Sequence, residues 1–250
     1  MPTRKSIRGE ASGRSVDLDA FSAVSHEMRS PLAAIRMTSD LLRAYFDVIP
    51  VQRRNELLDV LDSSSARLGT LLEDIALVTK IDGAHLSVQH RLVHAALAAR
   101  EAISRSQRDF SERTFIAHYC DEETLLRADE RRVIQVLVNL LSNAAKYSFP
   151  GTPIVLRVEK FAPSVRFTVI NQGPGIDAGA RRTIFTRFGK PDGMHESAVG
   201  LGLYICKELV HLMGGTIHFE SVPNAQTSFW FSLPRVRSRK RAHSEAGTVG

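Results

Sequence analysis

Residues 25–31 read Ser-His-Glu-Met-Arg-Ser-Pro and place a histidine and a glutamate shortly before a proline. Around them, apolar or small residues recur at alternating steps of three and four, at Leu18, Phe21, Ser25, Met28, Leu32, Ile35, Ser39 and Leu42. This spacing is the heptad seam of a helix that packs against other helices. We therefore predict a long helix over residues 18–44, with its seam facing the interior of a helical bundle.

His26 follows the seam residue Ser25, so we expect its ring at the edge of the bundle, within reach of solvent. Pro31 has no N–H to donate to the carbonyl of Glu27, and its ring crowds that carbonyl, which predicts a bend one turn after His26. An accessible imidazole beside a carboxylate is a candidate nucleophile with a nearby proton acceptor. The competing interpretation is a polar residue on a solvated helix face.

A second heptad run follows a break near residues 45–51, which include Pro50. Its members are Leu57, Leu61, Ser64, Leu68, Leu71, Ile75 and Val78. Two long helices joined by a short turn form a helical hairpin, and Gly83 is suited to cap the second helix. One hairpin leaves half of its seam uncovered, so we favour pairing with a second copy in a four-helix bundle. A monomeric hairpin packed on the rest of its own chain is the alternative.

The remaining chain, to residue 234, alternates predicted helices and strands. Helices are predicted at residues 93–106, 130–147 and 201–213, and strands at residues 114–119, 154–160, 165–171, 216–220 and 227–233. Asp129 is the predicted N-cap of the second of these helices. Consecutive hairpin strands beside helices favour an α+β fold, built as an α/β sandwich, over a doubly wound parallel sheet.

The net charge of +6 is concentrated at one end of the chain. Residues 235–250 hold five arginines or lysines and one glutamate, and therefore contribute five minus one, or +4. The rest is nearly balanced, which argues against nucleic-acid binding. We expect residues 235–250 to form a basic disordered tail, with an acidic partner or a membrane surface as its alternative role, and residues 1–16 to form a flexible N-terminus.

The sequence carries no sign of a membrane or secreted protein. No apolar run approaches a membrane span, and the first residues lack the apolar segment of a secretory signal. Cys120 and Cys206 lie far apart and have no metal-ligand spacing, which indicates reduced, packed thiols in a cytoplasmic protein.

The predicted helix at residues 130–147 carries polar residues with a shared direction. Asn139, Asn143 and Lys146 fall on one face, away from its apolar stripe. Asparagine is an indifferent helix former, so two of them on one mid-helix face need a reason. Asn143 can offer a neutral oxygen ligand to Mg²⁺, and Lys146 can balance phosphate charge. A solvated polar face is the alternative, although it would favour Glu, Lys and Gln.

Two glycine-containing segments border a loop. Residues 170–176, Ile-Asn-Gln-Gly-Pro-Gly-Ile, follow a predicted strand, and their glycines permit tight turning and close backbone approach to a flat ligand. Residues 200–203, Gly-Leu-Gly-Leu, open the last helix, where backbone N–H groups suit a phosphate. The composition of residues 186–199 between them is typical of a mobile lid. The spacing matches neither a P-loop nor a Rossmann pattern.

Five motifs together resemble those of two-component sensor histidine kinases. Residues 21–32 resemble the family's H box, residues 139–147 its N box, residues 171–176 and 200–203 its two glycine-rich boxes, and residues 184–188 its phenylalanine box. The resemblance covers residues 21–233. It implies a dimerisation and phosphoacceptor hairpin over residues 17–83, followed by a Bergerat-type ATP-binding domain over residues 84–234. Such proteins move the γ-phosphoryl group of ATP to a histidine and then to an aspartate of a response regulator.

The resemblance also implies roles for individual residues. His26 corresponds to the phosphoacceptor, and Glu27 to the group that takes or orients its ring proton. Asn143 corresponds to the Mg²⁺ ligand. The nucleotide pocket would be lined by Asn139, Lys146, Tyr147, Asn171, Gly173, Gly175, Gly200, Leu201 and Gly202. The implied cofactors are ATP and Mg²⁺, and the implied partners are a second copy of the chain, a response regulator receiver domain and a separate sensor protein.

Three positions depart from the family pattern. Asn171 stands where the family has an aspartate that accepts a hydrogen bond from adenine. Its amide oxygen accepts that bond without a charge, which predicts weaker ATP binding. Ala198 replaces a common lid glycine and predicts a stiffer lid. Ser30 replaces the threonine or asparagine associated with dephosphorylation of the regulator, a role that its hydroxyl would have to take over.

Two other classes of function compete with an active kinase. A pseudokinase scaffold is supported by Asn171 and Ala198 and opposed by His26, Glu27 and Asn143. An ATPase or serine kinase on the same nucleotide fold would have no need of the histidine-bearing hairpin. The short stretch before the H box fits either a short kinase that takes its signal from another protein or the core of a longer receptor.

Overall fold

The computed structural model describes residues 7–189 and 200–236. This part of the chain forms two compact units, and each draws on separate segments of sequence. The first takes its described residues from segments 1–87, 173–209 and 221–227, and the second from segments 88–172, 210–220 and 228–236. Among the residues described, no helix combines the length and apolar character needed to cross a membrane.

A hairpin of two long helices dominates the first unit. Helix α1 spans Ile7–Tyr45 and helix α2 spans Val51–Asp82, joined by a turn that contains Pro50. The predicted hairpin is therefore confirmed, and α1 runs through Pro31 as one helix. The helix begins at Ile7 rather than at the predicted residue 18. Seam residues begin only at Leu18, but no proline interrupts residues 7–17, so the helix extends beyond its seam.

The two helices bury a stripe that differs in part from the predicted seam. Leu57, Leu71 and Leu77 are buried on α2, whereas on α1 the buried residues include Glu27 and Thr38. The predicted seam residue Leu32 is 59% exposed. Other large apolar side chains of the hairpin helices are also exposed in the single chain, although they lie outside the predicted seams. They are Met37, Leu41, Tyr45, Val51, Leu58, Val60 and Leu72.

Helix α2 ends with Gly83 as its cap, as predicted, although the left-handed residue is the next one. Gly83 is the C-cap residue, but it has an ordinary φ of −74°, and Ala84 takes the left-handed conformation with φ 53°. The N–H of Gly83 donates to the carbonyl of Thr79 at 3.1 Å, and that of His85 donates to the carbonyl of Lys80 at 2.9 Å. These bonds satisfy carbonyls that a helix end leaves without intrahelical partners.

The second unit contains most of a mixed sheet with helices beside it, as predicted. Its first elements are β1 (Arg91–His94), α3 (Ala95–Asp109), β2 (Phe115–His118), β3 (Leu125–Ala128), α4 (Glu130–Tyr147), β4 (Ile154–Phe161) and β5 (Ser164–Gln172). The later elements of the chain are a short 3₁₀ turn (Ala180–Arg182), α5 (Gly202–Leu212), β6 (Thr216–Ser221) and β7 (Gln226–Pro234). The five-stranded sheet has the order β2-β4-β5-β7-β6, in which β2 and β4 are parallel and β4 and β5 are antiparallel.

A second sheet was not predicted. Strands β1 and β3 form an antiparallel pair, and β1 occupies residues expected to open a helix, so that α3 begins at Ala95 rather than at residue 93. Four-residue strands offer too little alternation to separate them from the helix that follows.

The first residues of the predicted tail pair with β3. Arg235 forms an antiparallel β-bridge with Leu126, and the N–H of Val236 donates to the carbonyl of Leu125, so ordered pairing extends to residue 236. The rest of that tail and residues 1–6 lie outside the described residues.

The core of the second unit lies between α4 and the sheet. Phe167 of β5 stacks on Phe231 of β7, with ring centroids 4.8 Å apart, and both are fully buried. The predicted apolar stripe of α4 is buried: Val133, Val136, Leu137, Leu140, Leu141 and Ala144. Asp129 caps the helix as predicted, because its carboxylate accepts from the N–H of Arg132 at 3.4 Å. This packing fixes which face of α4 points away from the core.

Candidate functional site

The histidine and glutamate of α1 have different environments. The side chain of His26 is exposed, as predicted, and so is that of Ser30. Glu27 is 5% exposed, and its Oε2 accepts a hydrogen bond from Nη2 of Arg67 on α2 at 3.2 Å. Consecutive residues of a helix point about 100° apart, which lets one face solvent while the next faces the partner helix. The hairpin thus presents an accessible imidazole next to a buried, ion-paired carboxylate.

Arg67 is a site residue that the sequence reasoning missed. It precedes the seam residue Leu68 and looks in the sequence like any basic residue beside a heptad position. Which residue of α2 lies opposite Glu27 depends on the register of the hairpin, and the heptads of each helix alone do not specify that register. Burying a carboxylate is costly unless it is paired and hydrogen-bonded, so the burial of Glu27 calls for a basic partner, but only the structure shows that burial.

In the second unit, α4 carries the predicted polar face. Asn139, Asn143 and Tyr147 are half-buried, and Lys146 is exposed at the last turn. Helix α4 packs on β5, where Asn171 is 5% exposed near the end of the strand. The N–H of Phe149 donates to the carbonyl of Gln172 at 2.8 Å and ties the chain just after α4 to the end of β5. The unit therefore holds these five polar residues on two neighbouring elements.

The first glycine-containing segment makes a tight approach to its own chain. Gly175 has φ 82°, and a Cβ there would lie 2.8 Å from Cα of Pro223. The N–H of Gly173 donates to the carbonyl of Ala225 at 3.1 Å, and the N–H of Ile176 donates to Oγ of Ser221 at 2.9 Å. The close backbone approach that we expected toward a ligand is thus made, at Gly175, to the turn between β6 and β7.

The second glycine-containing segment opens α5. Gly200 has φ 74°, Leu201 is 2% exposed, and the helix begins at Gly202. The carbonyl of Leu201 accepts the N–H of Ile205 at 2.8 Å, which places the first helical hydrogen bond at the motif itself. Residues 190–199 of the predicted lid, with Ala198, lie outside the described residues.

Arg187 joins the phenylalanine-box segment to two helices of the first unit. Its Nη2 donates to the carboxylate of Asp82 at the end of α2 and to the hydroxyl of Tyr204 on α5, the latter at 3.0 Å. Its guanidinium also lies over the Tyr204 ring, 5.0 Å from the centroid. Burial raises the pKa of the Tyr204 hydroxyl, so the group stays protonated at neutral pH and is available for hydrogen bonding. This contact could not be predicted from the sequence, since Asp82 lies more than 100 residues before Arg187.

Two families of known domains match this chain. The His Kinase A (phospho-acceptor) domain matches residues 18–84, and the histidine kinase-, DNA gyrase B-, and HSP90-like ATPase domain matches residues 128–237. Helix α1 from residue 18 onward, helix α2 and the exposed His26 fall in the first match, and α4 to β7 fall in the second. The chain belongs to the two-component sensor histidine kinases and contains their phosphoacceptor and ATPase core.

Individual relatives agree with this assignment. The chain is 29% identical over 216 residues to the sensor protein KdpD of Clostridium acetobutylicum, covering 85% of this chain and 24% of that protein. It is 30% identical over 226 residues to the sensor protein IrlS of Burkholderia pseudomallei, covering 88% of this chain and 47% of that protein. The chain therefore spans less than half the length of these curated relatives.

A solved structure supports the fold. The histidine kinase ThkA, in complex with the response regulator protein TrrA, superposes with a TM-score of 0.63 at 22% identity. The superposition covers 92% of this chain and 65% of ThkA. The helical hairpin followed by a mixed α/β domain is thus an architecture that this chain shares with ThkA.

Proposed function

We propose that the chain is an ATP-dependent protein-histidine kinase that phosphorylates His26 and passes the phosphoryl group to an aspartate of a response regulator receiver domain. The observation that carries this proposal is the exposed ring of His26, one residue from the buried Glu27, on a hairpin that matches the phosphoacceptor family. A phosphoacceptor must be reachable by a nucleotide held elsewhere, and an exposed imidazole meets that requirement.

The reaction that we assign to the hairpin is transfer of the γ-phosphoryl group of ATP to His26. A ring nitrogen of His26 forms a bond to the γ-phosphorus of ATP, the bond from that phosphorus to the bridging oxygen breaks, and ADP leaves. Glu27 takes or orients the ring proton that the imidazole must give up for this step. Because such transfers depend mainly on positioning and charge neutralisation, the remaining requirement is a correctly held nucleotide.

We assign nucleotide binding to the ATPase-matched part of the chain. Asn143 would hold Mg²⁺, because its half-buried amide oxygen is a ligand type that Mg²⁺ accepts alongside phosphate oxygens and water. The bound ion would balance charge on the phosphates. Lys146 would add to this balance, and Asn171 would accept a hydrogen bond from adenine. In the second unit the proposal also assigns nucleotide binding to Asn139 and Tyr147, and in the first unit it assigns nucleotide binding to Gly173, Gly175, Gly200, Leu201 and Gly202.

A homodimer is also part of the proposal. The exposed apolar side chains of the hairpin, among them Leu32, Leu58 and Leu72, form a surface that a second hairpin would bury in a four-helix bundle. The proposed boundaries are residues 17–83 for the dimerisation and phosphoacceptor domain and residues 84–234 for the ATP-binding domain. The proposal further assigns Ser30 a role in dephosphorylation of the regulator. It also includes a separate sensor protein as a partner and a cytoplasmic site of action, where ATP is available.

Labelling with radioactive ATP tests the function directly. The purified chain would be incubated with γ-labelled ATP and Mg²⁺ beside the His26→Ala variant. We expect acid-labile, base-stable label on the wild type and none on the variant, followed by loss of label to a response regulator receiver domain. Nucleotide binding without label on His26, alone or with candidate partners, would favour a scaffold. Acid-stable label would favour a serine kinase.

A further inference from the structure

The carboxylate of Glu27 is held from the neighbouring helix. Arg67 lies 40 residues further along the chain, and its Nη2 is 3.2 Å from Oε2 of Glu27. The Glu27 side chain is 5% exposed and that of Arg67 is 44% exposed, so the pair spans the boundary between the helix interface and water. The contact thus joins α1 to α2 at the residue beside His26.

Because the Glu27 carboxylate is buried, its contact with Arg67 matters for stability. A buried carboxylate without a compensating charge is strongly disfavoured, and truncating one member of such a pair leaves the other uncompensated. The planar guanidinium also gives direction, because its N–H donors point along fixed lines. Arg67 therefore limits where the flexible side chain of Glu27 can place its carboxylate.

The position of that carboxylate matters for the chemistry at His26. The exposed His26 and the buried Glu27 point in different directions from α1, so the reach of Glu27 to the ring depends on where its carboxylate is held. We propose that Arg67 is a positioning residue for phosphoryl transfer, which holds the Glu27 carboxylate where it can act on the ring proton of His26. This inference rests on the proposed function.

A double-mutant cycle tests the proposal in the full chain. Autophosphorylation kcat and the KM for ATP would be measured for wild type, Arg67→Met, Glu27→Gln and the combined variant. We expect Arg67→Met to lower kcat about tenfold or more with little change in KM, since positioned proton acceptors contribute roughly 10²–10⁴-fold. In the Glu27→Gln background the same change should have little effect, because the group that Arg67 positions is already neutral.

Conservative and matched variants separate positioning from a structural role. Arg67→Lys keeps the charge and should retain more kcat than Arg67→Met, although its single ammonium lacks the planar fork. If Arg67→Met loses its helical circular dichroism, Arg67→Lys carries the cycle instead. Arg53→Ala removes an exposed ion pair with Glu56 on the same helix and should leave kcat unchanged.

The outcomes are distinguishable from failure of the proposed function. An unchanged or raised kcat in Arg67→Met would overturn the inference, as would an equal loss in both backgrounds or a loss confined to KM. Wild type that binds ATP but never labels His26 would instead remove the kinase assignment, and the inference with it. Labelled wild type with a non-additive cycle supports both.

Discussion

Arg187 forms an ion pair with Asp82, a residue 105 positions earlier in the chain. The hydroxyl of Tyr204 completes the group, lying 3.0 Å from Arg187 Nη2 and 3.4 Å from Oδ1 of Asp82. One guanidinium therefore connects the end of α2, the segment before residue 190 and the first turns of α5. The three residues form a network rather than an isolated surface pair, which is the situation in which exposed charges contribute most.

Replacing Arg187 by alanine should loosen the end of α2. The substitution removes the ion pair, the hydrogen bond to Tyr204 and the cation–π contact at once. Because the Arg187 and Asp82 side chains are 39% and 33% exposed, solvent screens the pair, and we expect a loss of only about 1 kcal/mol. Amide hydrogen exchange at residues 79–82 measures this loss as faster local opening.

A matched control uses an exposed pair within one helix. Arg105→Ala removes the ion pair with Glu101 on α3, where both side chains are about half exposed, and should cost less than about 0.5 kcal/mol. Adding salt should shrink the Arg187 effect. Unchanged exchange at residues 79–82 in Arg187→Ala would show that the contact does not stabilise this end of the helix.

Changing Asn171 to aspartate should strengthen nucleotide binding and lower the thermal stability of the protein without nucleotide. A charged acceptor makes a stronger hydrogen bond than an amide oxygen, so the Kd for ATP should fall about tenfold. Asn171 is 5% exposed, however, and a buried charge without a ligand is costly, so the Tm without ATP should fall. Calorimetric titration and thermal unfolding with and without ATP measure both effects. A lower Tm without tighter binding would place adenine elsewhere.

Ala84 offers a stabilising substitution. Its φ of 53° is in the left-handed region, where a side chain costs about 1–2 kcal/mol and glycine does not. After the entropic cost of glycine, Ala84→Gly should raise the free energy of unfolding by about 0.5–1 kcal/mol. Gly151→Ala is the reverse control, because φ there is 76° and a Cβ would meet open space. That variant should destabilise, and urea unfolding measures both.

The two cysteines should differ in reactivity. Cys206 is fully buried, and burial raises the pKa of its thiol far above the ordinary value, so almost none is thiolate near pH 8. Cys120 is half-buried. A disulfide reagent should therefore modify one thiol in the native protein and two after denaturation, and Cys120→Ser should abolish the native reaction. Fast native modification of Cys206 would contradict the packing of α5.

Elements with strong local signals were predictable from the sequence. Helix α4 begins and ends at the predicted residues, because Asp129 caps it and its apolar stripe repeats over the whole length. Strands β1 and β3 were missed, since each has four residues and their pairing depends on chain segments more than 30 residues apart. The start of α1 was also missed, because a helix can extend past the residues that form its seam.

The candidate site was predictable in its parts but not in its contacts. The exposure of His26 followed from its place beside a seam residue. The pairing of Glu27 with Arg67 did not follow, because it depends on how two helices are aligned. The close approach of Gly175 to Pro223 also could not be predicted, because the two residues lie far apart in the sequence and meet only in the folded chain.

Helix α2 carries both Arg67, which contacts Glu27, and Asp82, which contacts Arg187. Arg67 and Asp82 are 15 residues apart, which corresponds to roughly 22 Å along the axis and about 60° around it. The two side chains thus project from nearly the same side of the helix. A rotation or translation of α2 would therefore move Arg67 relative to Glu27 and Asp82 relative to Arg187 at the same time.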